Sequence, residues 1–367
     1  MNIYQKALAD RKKQHLLRSL PLPPEGIDFF SNDYLGLSHS PHLSLGIEEE
    51  YKNAPSLNGA TGSRLLSGNN WYVEKIEHQI AEFHHSESAL IYASGYTANL
   101  GLISSLATQE TTLICDELIH ASLIDGARLG KAVKVKFRHN DIDDLKQKLS
   151  AAKAQKLVVV ESVYSMDGDI CPINEVVELC QTYDALLIVD EAHAIAVYGE
   201  KGEGLVQSLG LEEHVFARIM TYGKGPGIHG AAVVGSSWLK EYQVNFSRSL
   251  IFSTAPSNHH VASIAAMYRH LPKCTDDRKQ LKEMVDYFVR KRHASGDQWI
   301  NSPSQIQSLI VPGNEQVVAL GEKLKIAGIN ALPIRKPSVP EGAERIRFCL
   351  HSYNTTEEID LLFNTLK

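Results

Sequence analysis

A lysine set among glycines and an aspartate that ends an apolar run are the two features of this sequence with the clearest chemical meaning. Lys224 lies in the stretch 221–227, which reads TYGKGPG, and its small neighbours let a ring-sized ligand approach the amine. Asp190 follows the apolar run 186–189, where a carboxylate can hold the positive charge of a pyridinium nitrogen. The pair points to pyridoxal 5'-phosphate (PLP), whose chemistry needs a Schiff-base lysine and an acidic partner for the ring nitrogen.

Each feature also has an ordinary structural explanation when it is taken alone. Gly-Lys-Gly occurs in surface turns, and an aspartate after an apolar run is often a helix cap. A nucleotide-binding loop is the alternative phosphate site, but the chain has no G-x-x-x-x-G-K-[ST] sequence and Lys224 is followed by Gly225. The combination of Lys224 and Asp190 therefore favours PLP over a Walker-type ATPase.

Length and composition predict a large protein with an extensive core and not a small binding module. The chain has 367 residues, 43% of them apolar, and its formal charge of −6 does not indicate a nucleic-acid surface. Its five cysteines are scattered without a C-x-x-C pair, so we expect neither a disulfide framework nor a metal site. The sequence has no signal-peptide core and no apolar run of about 18 residues, which predicts a cytoplasmic protein without a membrane partner.

Short apolar runs alternate with helical segments through the middle of the chain. The runs lie at 112–115, 157–160, 186–189, 217–220 and 231–234. Unbroken apolar runs of this length are typical of strands buried on both faces, so they predict an α/β fold with a mainly parallel central sheet. Ligands of such sheets bind beyond the carboxyl ends of the strands. Four polar residues follow such ends: Asp116, Ser165, Asp190 and Lys224.

The pattern along the chain predicts three consecutive parts. Residues 1–45 form an N-terminal helix and a substrate-site segment, residues 46–268 a large PLP-binding α/β domain, and residues 269–367 a smaller C-terminal α+β domain. The last part contains a predicted strand at 307–312 and a final helix whose start, near residue 355, resembles a capping box.

Further polar residues are candidates for contact with the cofactor. Gly95 lies where a turn opens an apolar helix, and the free N–H groups of a helix start bind phosphate. Thr221, three residues before the lysine, has a hydroxyl for the same phosphate. His193 follows the aspartate by three residues, an offset that favours contact with the cofactor's 3'-oxygen. His120 is suited to stacking on the ring, with a purely local hydrogen bond at a helix start as an equal alternative.

These motifs, in their order along the chain, resemble those of the alpha-oxoamine synthases, a group of fold-type I PLP enzymes. The resemblance extends over nearly the whole chain. It rests on SNDYLGL at 31–37, SGYTAN at 94–99, HAS at 120–122, ESVYSMDGD at 161–169, VDEAH at 189–193, TYGKG at 221–225 and RIR at 345–347. The family implies the aminotransferase class I/II fold, a homodimer, and a PLP-dependent acyltransferase that joins an acyl thioester to a small amino acid with loss of CO2.

The resemblance also implies a role for individual residues. The catalytic residues would be Lys224, which binds the cofactor covalently, Asp190 at the ring nitrogen, and His193 and His120. The other cofactor contacts would be Gly95, Tyr96, Ser165 and Thr221, with Ser253 and Thr254 reaching the phosphate bound by the partner subunit. The substrate would be held by Arg347 at the amino-acid carboxylate, by Asn32, His120 and Ser338, and by Arg18 at the far end of the acyl chain.

The resemblance implies a substrate pair and leaves two alternatives open. The expected pair is L-alanine and a pimeloyl thioester of coenzyme A or acyl carrier protein, as in biotin biosynthesis. It rests on Arg18, within an expected N-terminal helix, and on the segment 334–340. The alternatives are a sister synthase, such as a glycine C-acetyltransferase, and a PLP-binding protein without turnover. Ala194 and Ala196, where the family has glycines, favour the last, and Tyr353-Asn354 in place of Ala-His is a further departure.

Overall fold

A computed structural model of the chain describes residues 2–14, 16–18, 20, 22, 25–336 and 338–367. The chain forms two compact units. The larger unit comprises Leu35–Ser165 and Ile170–Arg278, and the smaller one Met1–Tyr34, Met166–Asp169 and Lys279–Lys367. The division into three consecutive parts, with boundaries after residues 45 and 268, is a different partition and stays a prediction.

The strands and helices alternate along most of the chain. The strands are β1 (Ile27–Asp28), β2 (Ser88–Tyr92), β3 (Thr111–Asp116), β4 (Val133–Phe137), β5 (Gln155–Glu161), β6 (Ala185–Asp190), β7 (Ala217–Thr221), β8 (Ala231–Gly235), β9 (Ile306–Ile310), β10 (Ile329–Asn330), β11 (Leu332–Ile334) and β12 (Arg345–Cys349). The helices are α1 (Ile3–Lys13), α2 (Pro41–Lys52), α3 (Trp71–Phe83), α4 (Gly95–Leu106), α5 (Ala121–Leu129), α6 (Ile142–Ala151), α7 (Ile173–Thr182), α8 (Leu205–Ser208), α9 (Ser237–Phe246), α10 (Arg248–Ile251), α11 (Asn258–His270), α12 (Thr275–Ser295), α13 (Asn314–Ile326) and α14 (Thr356–Leu366).

A seven-stranded sheet forms the centre of the larger unit. Its strand order is β2-β8-β7-β6-β5-β3-β4, and β8 pairs antiparallel with both of its neighbours while the other pairs are parallel. The five apolar runs of the sequence lie in β3, β5, β6, β7 and β8. The prediction of an α/β fold with a mainly parallel sheet is therefore confirmed.

The parallel strands bring four polar residues to one edge of this sheet. Asp116, Glu161, Asp190 and Thr221 are the last residues of β3, β5, β6 and β7. The apolar residues before them pack between the covering helices, and Val158, Val159 and Val160 are fully buried. A rigid core thus holds the ends of these strands in fixed positions, as a binding site at the carboxyl edge requires.

The smaller unit has its own sheets and its own core. β11, β12 and β9 form an antiparallel sheet in that order, and β1 pairs parallel with β10. Phe288, Trp299, Phe348 and Phe363 pack ring against ring between this sheet and its helices. The predicted strand at 307–312 is confirmed as β9, and α14 begins with the expected capping box at Thr355.

The N-terminal helix is shorter than the sequence predicts. α1 ends at Lys13, so the prediction that Arg18 lies in this helix is wrong. None of the side chains of α1 is buried, so its capping box at Asn2 and its backbone hydrogen bonds stabilise it without packing against a core. Among the described residues, no helix is both long and apolar enough to cross a membrane.

Candidate active site

Lys224 lies three residues after β7 in a closed turn. The N–H group of Gly227 donates to the Lys224 carbonyl at 2.8 Å, and that of Ile228 donates to the Tyr222 carbonyl at 3.1 Å. Gly227 has a φ of +69°, and a Cβ there would lie 2.4 Å from the backbone nitrogen of Ser38. Only glycine fits this position, which explains why the third residue after the lysine is a glycine.

Asp190 is a buried carboxylate at the end of β6, with 4% of its surface exposed. Its Oδ1 accepts the N–H of Ala192 at 2.9 Å, and its Oδ2 accepts the side-chain amide of Asn99 at 2.7 Å. Among the described residues, no lysine or arginine forms an ion pair with Asp190. A buried carboxylate without a cationic partner is costly, so this site fits a ligand that brings a positive charge.

His120 begins helix α5 and is connected to Asp190 through two polar side chains. Its Nδ1 accepts the N–H of Ser122 at 3.2 Å and lies 2.7 Å from the Ser122 hydroxyl. That hydroxyl also accepts from Asn99 at 2.9 Å, and the same Asn99 amide contacts Asp190. The local hydrogen bond expected as an alternative is present, while stacking on a cofactor ring stays a prediction.

The charges near His120 show which groups it faces. Burial lowers the pKa of His120, the positive charge of Lys224 lowers it further, and the negative charge of Asp190 partly opposes both effects. The three residues come from three different segments of the chain and act on one another electrostatically. His120 is consequently a neutral ring at neutral pH, which suits contact with an uncharged ring face.

The start of α4 is an anion site built from backbone groups. The Ser94 hydroxyl accepts the N–H of Thr97. The N–H groups of Gly95 and Tyr96 lack a partner among the described residues. A Cβ on Gly95 would lie 2.3 Å from the Thr221 hydroxyl, so the helix start packs directly on the end of β7. Free N–H groups and a hydroxyl converge here, as a phosphate requires.

The remaining predicted cofactor residues differ in their burial. Ser165 and His193 are buried in the loops that follow β5 and β6. Tyr96 is exposed, and its hydroxyl donates to Asp125 at 2.5 Å. Ser253 and Thr254 follow the short helix α10, and Thr254 is exposed. The structure thus brings together Lys224, Asp190, His120, Gly95 and Thr221.

Two site residues were missed by sequence reasoning, Asn99 and Glu161. Asn99 stands four residues after Gly95, so it lies on the same face of α4 as the helix start. Glu161 is the last residue of β5, as Asp190 is of β6. A carboxyl residue at the end of an apolar run is thus the sequence signal that identifies Glu161. Burial, and then the charge of Asp190, raise the pKa of Glu161 to about 8.

Arg347 is the predicted substrate residue with the clearest geometry. In the smaller unit, its Nη2 donates to the Asn32 side-chain oxygen at 2.7 Å, and the Tyr34 hydroxyl donates to the same oxygen at 3.1 Å. Arg347 is 5% exposed, and its Nε is buried without a hydrogen-bond partner. An orphaned guanidinium donor fits a carboxylate ligand, which accepts two parallel hydrogen bonds.

Arg18 and Ser338 are exposed and lie outside helices and strands. Neither forms a side-chain hydrogen bond within the part of the chain that the structure describes, although the Ser338 N–H donates to the Arg335 carbonyl at 3.0 Å. Contact of either residue with an acyl chain stays a prediction.

The departures from the family motifs have local explanations. Ala196 has a φ of +72°, the left-handed conformation for which the family uses glycine, and its N–H donates to the Gly202 carbonyl at 2.8 Å. Asn354 accepts the N–H of His351 and donates to the Asp28 carbonyl. The backbone at Ala196 is therefore strained, and Asn354 connects the segment after β12 to β1.

The arrangement in the larger unit fits PLP in every part. It offers a lysine amine, a buried carboxylate without a cation, a neutral histidine, and a helix start whose backbone N–H groups are free. A model of the aminotransferase class I and II family matches residues 24–366. The chain belongs to the aminotransferase class I and II family. As in other members of its PLP-dependent group, its cofactor is pyridoxal 5'-phosphate.

Comparison with individual relatives shows to which group within the family the chain belongs. The 8-amino-7-oxononanoate synthase of Emericella nidulans is 37% identical, and the alignment covers 99% of this chain and 94% of that protein. A solved serine palmitoyltransferase from S. paucimobilis with a bound PLP-myriocin aldimine is 27% identical with a TM-score of 0.90, over 100% of this chain and 97% of that one. The 8-amino-7-oxononanoate synthase of Francisella tularensis is 26% identical with a TM-score of 0.80, over 93% and 96%. Within the aminotransferase class I and II family, this chain is a PLP-dependent acyltransferase of the alpha-oxoamine synthase group.

Proposed function

We propose that this chain condenses L-alanine with a pimeloyl thioester to give 8-amino-7-oxononanoate, CO2 and a free thiol, the reaction of an 8-amino-7-oxononanoate synthase in biotin biosynthesis. The observation that carries the choice within the group is the sequence identity of 37%, over 99% of the chain, to the Emericella nidulans enzyme. Coenzyme A and acyl carrier protein are both suitable carriers of the acyl group.

The cofactor residues of this proposal lie in the larger unit. We assign covalent attachment to Lys224 Nζ, the ring nitrogen to Asp190, and the phosphate to Gly95, Tyr96 and Thr221. When bound, PLP withdraws electrons from the amino acid's α carbon and so makes that carbon easier to deprotonate and acylate. The uncompensated charge of Asp190 and the free N–H groups of α4 support these assignments.

Two side chains then act on the substrate. When the amino acid replaces Lys224 on the cofactor, the lysine would regain a free amine, which would accept the α proton of alanine as a general base. His120 covers the ring and touches the substrate, and its depressed pKa keeps the imidazole neutral there. His193 and Ser165 contact the oxygen side of the ring.

The amino-acid carboxylate is assigned to Arg347, whose buried Nε lacks a partner. Asn32, which accepts a hydrogen bond from Arg347, orients the guanidinium and contacts the substrate. We assign the acyl chain to Ser338 and its far carboxylate to Arg18. Both residues are exposed. Their assignment to the acyl chain therefore rests on the family resemblance.

We also propose a cytoplasmic homodimer in which Ser253 and Thr254 reach the phosphate bound by the partner subunit. This assignment rests on the family resemblance, and the adjacent Phe252 has an exposed side chain. The five cysteines are free and buried, as expected in a reducing compartment.

A sister synthase with another amino acid or acyl group is the second candidate. The higher TM-score to the serine palmitoyltransferase, 0.90 against 0.80, favours it. The strained Ala196 supports the third candidate, a PLP-binding protein without turnover. Measured products, rather than cofactor binding, distinguish the three.

Reduction of the purified protein with borohydride tests the site assignment. We expect a yellow protein in which reduction fixes PLP to the peptide that contains Lys224, because an amine bonded to the cofactor becomes a stable secondary amine. Lys224→Ala should abolish the label, while replacement of the exposed Lys201 by alanine should leave it. A label on another lysine would refute the assignment.

A further inference from the structure

Two carboxyl groups lie side by side at the edge of the sheet. Glu161 ends β5 and Asp190 ends β6, and the two are paired in the parallel register. Residues paired in neighbouring parallel strands point to the same face, with the strands about 4.8 Å apart. Glu161 is 2% exposed and Asp190 4%, so both groups are removed from water.

The two carboxyl groups differ in their hydrogen-bond partners. Both oxygens of Asp190 accept hydrogen bonds, from Ala192 and from Asn99. Oε1 of Glu161 is buried without a partner. Within the part of the chain that the structure describes, no lysine or arginine forms an ion pair with Glu161. Burying an oxygen without a partner costs more free energy for an ionised carboxylate than for a neutral carboxyl group.

The groups that face Glu161 come from several loops. Burial and the charge of Asp190 raise the pKa of Glu161 to about 8, against the lowering effect of the positive charge of Lys224 and of hydrogen bonds from the backbone of His120 and Ser165. The Tyr164 hydroxyl also lies within the electrostatic reach of Glu161. Because two adjacent buried carboxylates cannot both ionise cheaply, the pair holds one proton at neutral pH.

We propose that Glu161 is a positioning residue that carries its proton in the native enzyme and leaves Asp190 as the one ionised carboxylate of the pair. A neutral Glu161 does not compete with Asp190 for a positive charge at this edge of the sheet. The role of Asp190 toward the cofactor's ring nitrogen rests on the proposed function. The proton on Glu161 does not, since it follows from the protein alone.

The proposal predicts a specific dependence of stability on pH. A carboxyl group whose pKa is raised by folding stabilises the native state below its unfolded pKa, about 4.3, and loses this contribution as pH rises through the folded value. The folded pKa of Glu161 is about 8. The melting temperature of the wild type, relative to Glu161→Gln, should therefore fall between about pH 5 and pH 8 and stay level above that range.

The experiment uses cofactor-free protein to separate this effect from catalysis. Melting temperatures of wild type and Glu161→Gln are measured across this pH range, and infrared spectra are recorded on the same samples. We expect a protonated-carboxyl C=O band at neutral pH in the difference spectrum of wild type minus Glu161→Gln, since Glu191 contributes such a band in both proteins. The band should fade as pH rises through the pKa of Glu161, about 8.

Two variants serve as controls. Asp190→Asn removes the neighbouring charge, so the fading of the band should shift to lower pH. Glu191→Gln removes another buried carboxyl group, whose pKa burial raises to about 7, and should leave the titration of Glu161 in place. In cofactor-loaded protein, the visible absorption should show a step near the pKa of Glu161 that Glu161→Gln lacks.

The absence of a protonated-carboxyl band from this difference spectrum at neutral pH would overturn the proposal. So would an identical pH dependence of the melting temperature in wild type and Glu161→Gln. If Glu161→Gln does not fold, the shift of the wild-type band in Asp190→Asn decides the matter. If Asp190→Asn leaves α-proton exchange intact while the Glu161 band behaves as expected, the assigned role of Asp190 fails and the proton on Glu161 stands.

Discussion

Asp190 is the residue on which the proposed chemistry depends most. Asn99 and the Ala192 N–H fix the orientation of its carboxylate, and Ser122 connects Asn99 to His120. A carboxylate held by two donors is pre-organised for a positive charge and needs no rearrangement when the cofactor binds. Asn99 is thereby a positioning residue that joins the predicted ring contacts.

Asp190→Asn should retain PLP but lose α-proton exchange. A neutral amide cannot stabilise the positive ring nitrogen, and the loss of such a charge costs roughly 3 kcal/mol or more, a hundredfold or more in rate. NMR of L-alanine in D2O measures the exchange directly. The matched control is Asp116→Asn, since Asp116 ends β3 but pairs with His139. Exchange within a few-fold of the wild type would make Asp190 a structural residue.

Arg347→Leu should weaken alanine binding whatever acyl donor is present. The α-carboxylate would lose a bidentate partner, at a cost of about 2–5 kcal/mol, or thirtyfold and more in affinity. Titration of the cofactor's absorption with alanine measures this affinity.

The control for that measurement is the neighbouring arginine on the same strand. Arg345 lies two residues before Arg347 on β12 and forms an ion pair with Asp167. Arg345→Leu should lower the melting temperature and leave the affinity for alanine nearly unchanged. Equal losses of affinity in both variants would contradict the assignment of the carboxylate to Arg347.

At the scale of elements, the loop after β6 holds an alanine in a backbone conformation that glycine adopts more readily. Ala194 and Ala196 are both fully buried, but only Ala196 has a positive φ. Left-handed backbone costs an alanine roughly 1–2 kcal/mol, because its Cβ approaches the following carbonyl oxygen. The packed core and the hydrogen bond to Gly202 hold the residue there.

Glycine substitutions at the two alanines should measure this strain. Each removes one buried methyl group and makes the unfolded chain more flexible, which destabilises the protein by about 1–2 kcal/mol. Only Ala196→Gly also relieves the strained backbone. We expect Ala194→Gly to be more destabilising than Ala196→Gly by about 1 kcal/mol in urea unfolding. Equal losses of stability would show that the loop accommodates Ala196 without strain.

At the scale of the whole molecule, the sequence predicts the parallel sheet well because its inner strands are apolar on both faces. The search for unbroken apolar runs misses β4, whose residues VKVKF show the alternating pattern of a half-exposed strand and lie at the edge of the sheet. It also does not reveal that β8 runs against its neighbours, because the direction of a strand depends on its connections and not on its composition.

The candidate site is predictable where a residue has a chemical function of its own. Lys224 and Asp190 stand out because a glycine-flanked amine and a carboxylate at a strand end are unusual. Glu161 and Asn99 do not stand out, since their importance comes from the register of β5 with β6 and from the contact between α4 and β6. Such contacts join residues that are distant in sequence, which no local pattern records.

The most direct test of the account is the product that the purified, PLP-loaded protein makes. L-Alanine, glycine and L-serine are each combined with pimeloyl, acetyl, succinyl and long-chain acyl thioesters, and products are identified by mass. Lys224→Ala is the control without a base. We expect 8-amino-7-oxononanoate from L-alanine and the pimeloyl thioester as the fastest reaction, and no product from Lys224→Ala. A faster reaction with another pair, or no product with any pair, would contradict the proposed function.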